Sequence, residues 1–169
     1  MGYTTEFEGE FTINRELDQE TYDLLMGLAT TRRMGRDPEL LAERIGLTVE
    51  EVIQKYGKEC QFWSGDERFT TNDVININTP PTDQPGLWLQ WIPGNDRKSI
   101  LWDGNEKFYN AFEWIEYLIK YILAPRGYVL NGTIDAYGEN RDDNWAITIK
   151  DNVARRREKI LVYADGKDE

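Results

Sequence analysis

From Tyr3 to Asn14 the chain alternates. Tyr3, Thr5, Phe7, Phe11 and Ile13 fall on one side, and Glu6, Glu8 and Glu10 on the other. A period of two predicts a half-buried strand with an acidic outer stripe. The period then lengthens. Asp18 stands where a helix N-cap belongs, and Leu17 and Tyr22 bracket it as a hydrophobic staple. Tyr22, Leu25, Met26 and Ala29 recur at helical spacing up to about Thr30–Met34. Asp37-Pro38 opens a second helix that Gly46 closes. Thr48 and Glu51 make a capping box for a third, closed by Gly57.

The middle of the chain reads as extended, with short strands over residues 60–63 and 74–78. Residues 79–86 hold three prolines and must form a loop. The runs LWLQWI (87–92) and SILW (99–102) flank Pro93-Gly94-Asn95-Asp96, the pattern of a β-hairpin. Phe108, Phe112, Ile115, Ile119 and Ile122 predict one long helix over residues 106–123, widened by Trp114, Tyr117 and Leu118 and stopped by Pro125 and Gly127. Three strands close the chain, over 128–137, 145–150 and 159–163. Strands that follow one another without helices between them favour antiparallel pairing. The expected fold is α+β: a mostly antiparallel sheet packed against one long helix and several shorter ones. Residues 1–163 form a single domain and 164–169 a flexible tail.

Charge changes the picture. The 169 residues carry 31 acids against 20 bases, a net charge of −11. Proteins that bind nucleic acid directly gain affinity by neutralising phosphates, so this balance argues against that role and against anionic membranes. One cysteine, Cys60, permits no intrachain disulfide, and no apolar run approaches the roughly 20 residues of a membrane helix. MGYTTEFEGE has neither the basic start nor the apolar core of a signal peptide, which implies the cytoplasm. The chain has no histidine. The commonest general base near neutral pH is therefore missing, together with His-dependent triads and His-ligated metals. No catalytic residue, metal site or cofactor is expected.

Five constellations remain. Residues 41–52 have the offsets of a helix-turn-helix pair, but the second helix presents Glu50 and Glu51 where phosphates would lie, so a packed αα-hairpin is the reading. Glu139, Asp142 and Asp143 cluster without the spacing of a cation loop, and Asn and Asp are ordinary turn residues. In the Trp-rich hairpin, Trp88 and Gln90 should share a face opposite Leu87, Leu89 and Trp91. With Trp102 and Asp103 they form a candidate ligand site able to stack and orient a nucleobase or sugar. Arg32, Arg33 and Arg36, and separately Arg155, Arg156 and Arg157, are basic islands suited to phosphate or carboxylate. We take Arg32 and Arg33 as the phosphate-holding part of a nucleotide site. Finally, alternate strand residues repeat at about 6.6 Å. Glu6, Glu8 and Glu10 can therefore imitate a phosphate row and form a candidate partner-binding stripe.

The whole chain also resembles a family of small uncharacterised proteins of phages and bacterial mobile elements. The resemblance lies in Gly2-Tyr3-Thr4-Thr5, Thr31-Arg32-Arg33-Met34, Gln84-Pro85-Gly86-Leu87-Trp88 with Gln90-Trp91-Ile92-Pro93, Trp102-Asp103-Gly104 with Glu106-Lys107-Phe108-Tyr109, Ala124-Pro125 with Gly127-Tyr128, Leu130-Asn131-Gly132, and Gly138-Glu139 with Arg141-Asp142-Asp143. It implies a phage context, where small accessory proteins often bind host machinery, and it carries over no catalytic role. The leading expectation is a non-enzymatic protein that binds and inhibits or modulates a bacterial protein. The alternatives are a binder that sequesters a nucleotide signal, and a carboxylate hydrolase using Asp103 and Glu106 or Asp142 and Asp143.

Overall fold

A computed structural model of the chain describes residues 2–65, 71–160, 162, 164 and 165. Leu161 and Tyr163 of the last expected strand, and residues 166–169 of the expected tail, lie outside the described residues.

The architecture is α+β. A six-stranded, wholly antiparallel sheet is built from β1 (Thr5–Ile13), β4 (Trp91–Pro93), β5 (Ser99–Trp102), β6 (Leu130–Gly138), β7 (Asn144–Lys150) and β8 (Val153–Glu158), in the order β4-β5-β1-β6-β7-β8. Helix α1 (Gln19–Thr30) runs beside the short edge strand β4, and α4 (Ala111–Leu118) crosses the inner face of the sheet. The remaining helices, α2 (Pro38–Ile45) and α3 (Val49–Tyr56), form a small unit beside a two-stranded ribbon of β2 (Gly35–Arg36) and β3 (Val74–Asn76).

Alternation in β1 works as its pattern requires. Phe7, Phe11 and Ile13 are buried, while Glu6, Glu8, Glu10 and Thr12 are exposed. Phe7 is the centre of an aromatic cluster, meeting Trp91, Trp102, Phe108 and Trp145 edge-on at centroid distances of 5.2 to 5.8 Å. Trp91 donates its indole N–H to the carbonyl of Ala111 at 2.8 Å, which fixes α4 over β4. Trp114, Ile115, Leu118 and Ile122 complete this core. A second, smaller core of Leu41, Ala42, Val52 and Cys60 lies between α2 and α3, which form the αα-hairpin but pack on this core and not, as expected, on the main sheet. The caps follow the sequence: Asp18 accepts from Thr21, Asp37 from Glu39 and Leu40, and Thr48 with Glu51 makes the capping box.

Five expectations are corrected. The helix over 106–123 begins at Ala111, because Lys107 and Asn110 take left-handed backbone angles (φ 61° and 60°) that no helix interior accepts. It is not one long α-helix either. Sixteen residues are helical, changing from α to a wider π turn at Ile119–Leu123 and a tighter 3₁₀ turn at Ala124–Arg126. Residues 60–63 are no strand: Glu59 and Cys60 have positive φ, and the segment sends Cys60 and Trp63 to the small core of α2 and α3 but Phe62 to the main core. Of the expected strand over 87–92 only Trp91 and Ile92 pair in the sheet, as part of β4. The last strand runs over Val153–Glu158 and ends before the expected 159–163 begins, because Asp151 and Asn152 (φ 48° and 68°) form a two-residue turn of the type that closes a tight hairpin. Asn152 secures that turn, accepting from the Leu130 amide at 2.7 Å and donating to the Tyr128 carbonyl at 2.8 Å.

Candidate functional site

Between α1 and β4 the surface opens into a cleft of about 610 Å³, lined by Met26, Ala29, Thr30, Trp88, Gln90, Ile92, Asp103 and Glu106 among others. Three of the candidate ligand residues, Trp88, Gln90 and Asp103, meet here. Their roles differ from the expected ones. Trp88 and Gln90 do not share an exposed face, since Trp88 is 46% exposed and Gln90 only 7%. Strand alternation fails because the backbone is irregular before Trp91. Gln90 is a strut: it donates to the carbonyl of Glu106 at 3.1 Å and accepts from the Trp102 indole at 3.2 Å. Trp102 does not line the cleft; it packs on Phe7 and orients Gln90. Asp103 is bonded to Asn105, accepting from its amide nitrogen at 2.8 Å and from its side chain at 2.9 Å. Among the described residues the cleft therefore offers one aromatic face and two carboxylates, Asp103 and Glu106, and no basic side chain lines it.

Arg32 and Arg33 do not complete it. Arg33 is buried, at 1% exposure. It donates to Gln84 Oε1 at 3.0 Å and to the carbonyls of Trp63 and Gln61 at 2.8 Å each. It is a clamp on three chain segments, not an anion receptor, and burial depresses its pKa to about 10. The same network continues through Gln84, which donates to the Tyr117 hydroxyl at 3.0 Å. That hydroxyl donates to Gln61 Oε1 at 2.8 Å, and burial pushes Tyr117 up to about 12. Arg32 donates to the carbonyl of Ile77 at 2.9 Å and to Asn78 Oδ1 at 3.2 Å, away from the cleft. Arg36 pairs with the buried Asp73. In the chain alone these arginines were indistinguishable from surface bases; the apolar Met34 beside them was the one hint of burial.

The carboxylates of the 138–144 loop also have structural duties. Glu139 accepts from the Thr4 amide at 2.6 Å and Asp143 from the Tyr3 hydroxyl at 2.7 Å, tying the N-terminus to the β6–β7 hairpin. Among the described residues no three His, Cys, Asp or Glu side chains gather so as to hold a metal ion, and no helix is long and apolar enough to cross a membrane.

The acidic stripe is laid out as expected, with Glu6, Glu8 and Glu10 all exposed on the outer face of β1. That face is opposite the aromatic core. The antiparallel registers extend one of its rows to the cleft: Ile92 pairs with Leu101, and Leu101 falls beside Glu10. Acidic strand and aromatic cleft are joined by two partly exposed aliphatic side chains. No family model, curated protein or solved structure matches the chain.

Proposed function

We propose that this is a non-enzymatic binding protein of a phage or mobile element. It acts in the cytoplasm of the bacterial host, where it binds and inhibits or modulates a host protein of defence or nucleic-acid handling. The observation that carries this reading is the continuous surface from Glu6, Glu8 and Glu10 through Leu101 and Ile92 to Trp88. An exposed indole supplies an anchor of the kind that dominates binding energy. The flanking carboxylates steer a basic partner to it and select its register. The net charge of −11 favours encounter with a basic surface, such as that of a protein built to hold nucleic acid.

Affinity capture from bacterial lysate with the wild-type chain, the triple variant Glu6→Gln, Glu8→Gln, Glu10→Gln, and Trp88→Ala tests the reading. A host protein retained by the wild type and lost from both variants is the expected result. Equal retention by all three removes this surface from the function.

The cleft favours a second reading, small-molecule binding, with a change of ligand class. Trp88 stacks an aromatic or sugar ring, while Asp103 and Glu106 repel phosphate and attract a cation. A neutral nucleoside, sugar or cationic ring fits better than a nucleotide. Tryptophan fluorescence of the wild type, titrated with nucleosides and nucleotides, separates these, and Trp88→Ala identifies the reporting indole.

A further inference from the structure

The outer face of the sheet carries a charge pattern that only the registers bring into view. Glu6 pairs with Tyr137, Tyr137 with Asn144, and the Asn144 carbonyl accepts from the amide of Lys159. Glu8 pairs with Asp135, Asp135 with Ala146, and Ala146 with Arg157. Glu10 pairs with Thr133, Thr133 with Thr148, and Thr148 with Arg155. Three successive rows thus begin with a glutamate on β1 and end with a base at or just after β8. All six terminal side chains are exposed. Between the two charged borders the Glu8 and Glu10 rows hold Asp135, Ala146, Thr133 and Thr148, none longer than an aspartate, while the Glu6 row carries the larger, exposed Tyr137 beside Asn144.

We infer that this face docks on the same face of a second copy of the chain. The fit follows from symmetry. A two-fold axis parallel to the strands and midway between β6 and β7 leaves height along the strands unchanged while exchanging β1 with β8. It sets Glu8 of each copy over Arg157 of the other, and Glu10 over Arg155, in aligned sheet-on-sheet packing. Each row is self-complementary because its opposite charges are at the same height. Sheets packed face to face lie about 10 Å apart, a gap that facing glutamate and arginine side chains span together. Lys159 is held on Asp135 at 2.8 Å within its own chain, so the Glu6 row contributes less than the other two. Arg157 is oriented by its bond to Thr148 Oγ1 at 3.2 Å.

The face is locally neutral despite the acidic chain. Glu6, Glu8, Glu10 and Asp135 are matched by Lys150, Arg155, Arg157 and Lys159. The net −11 lies elsewhere and opposes association at low salt. The strip from β1 to β8 spans three strand spacings, about 14 Å, and β7 runs about 23 Å, roughly 320 Å² on each copy, which is below the standard size of specific interfaces and in the range of weak, transient contacts. Association is therefore reversible and concentration-dependent. It does not depend on the identity of a host partner, although the shared glutamates make a partner and a second copy compete.

The test is sedimentation equilibrium of the purified full chain near 0.15 M salt, where charge is screened beyond about 8 Å. Mass rising with concentration from 19.8 kDa toward twice that value is expected. Two charge-reversed chains, one with Glu8→Arg and Glu10→Arg, the other with Arg155→Glu and Arg157→Glu, should each self-associate about tenfold more weakly or not at all. Mixed in equal amounts they should form a heterodimer, because every reversed row then faces its complement. A wild type that stays at monomer mass overturns the inference. So does a dimer that persists in both reversed chains, or two reversed chains that fail to pair on mixing while circular dichroism shows both folded. A wild-type chain that retains no host protein, or a host protein retained equally by Trp88→Ala and the glutamine variant, with self-association of the wild type intact, sinks the functional proposal alone.

Discussion

Asp73 and Arg36 form an ion pair at 2.6 Å between side chains that are 0% and 2% exposed. Arg44 closes on the same carboxylate from the outer side, its Nε 2.8 Å from Asp73 Oδ1. The three residues come from β2, α2 and the segment leading into β3, so the pair fastens the small helical unit to its ribbon.

Removing that carboxylate strands a buried charge, and breaking such a pair costs about 3–5 kcal/mol. Asp73→Asn should lower the melting temperature markedly, with the α2–α3 unit loosening first. Burial by itself would raise the Asp73 carboxyl, but the bonds from Arg44 and Arg36 outweigh it and hold the group below its ordinary value. A depressed carboxyl pKa contributes stability above the unfolded value and loses it as pH falls through the folded one. Wild-type stability should therefore drop on acidification below about pH 4, and the Asn variant should lack that part of the drop. Urea titrations at pH 7 and pH 3 measure both.

Arg33 makes a different kind of link, its guanidinium serving two carbonyls and one amide oxygen in the interior. A lysine cannot reproduce the planar fork. Arg33→Lys should cost about 2–4 kcal/mol through buried acceptors left without donors. It should leave the affinity of any ligand in the Trp88 cleft unchanged, which calorimetric unfolding and fluorescence titration together would establish.

Gly132 has φ +132°, and a Cβ built there stands 3.0 Å from the carbonyl oxygen of Glu10 and 3.3 Å from Phe11 Cα. Both neighbours are backbone of β1 and cannot swing aside. Gly132→Ala should destabilise by about 1–3 kcal/mol. Gly46→Ala, also at positive φ but with open space around it, should cost less. The difference between the two in chemical denaturation isolates the β1–β6 approach from backbone strain alone.

Cys60 is buried between α2 and α3, and that burial pushes its thiol up to about 11. The thiolate is the reactive form, so a disulfide reagent at pH 8 should label the native chain far more slowly than the unfolded one. Labelling then reports opening of the helical unit. Asp73→Asn should speed it, and Phe7→Ala in the other core should have a smaller effect. Equal acceleration by both would mean that the two cores open as one.

The sequence by itself determined the elements whose signal is local. The two-residue period of β1, the caps at Asp18, Asp37 and Thr48, and the stripe through Ile115, Ile119 and Ile122 each arise from neighbours a few positions apart, and all are present in the fold. The exposure of Glu6, Glu8 and Glu10 was legible for the same reason. Tertiary structure decided everything that depends on a partner distant in the chain. Arg33 read as a surface base because nothing near it announces the carbonyls of Gln61 and Trp63 that draw it inside. Residues 60–63 read as a strand because apolar residues in a short run do not say whether they pair or pack. Arg155, Arg156 and Arg157 read as a basic island between two strands, yet the turn at Asp151-Asn152 feeds them directly into the sheet edge. Their alignment with the glutamates of β1 is a property of three successive registers. Register is fixed by hydrogen bonding between strands and by which face is buried, and both are settled only when the sheet is assembled.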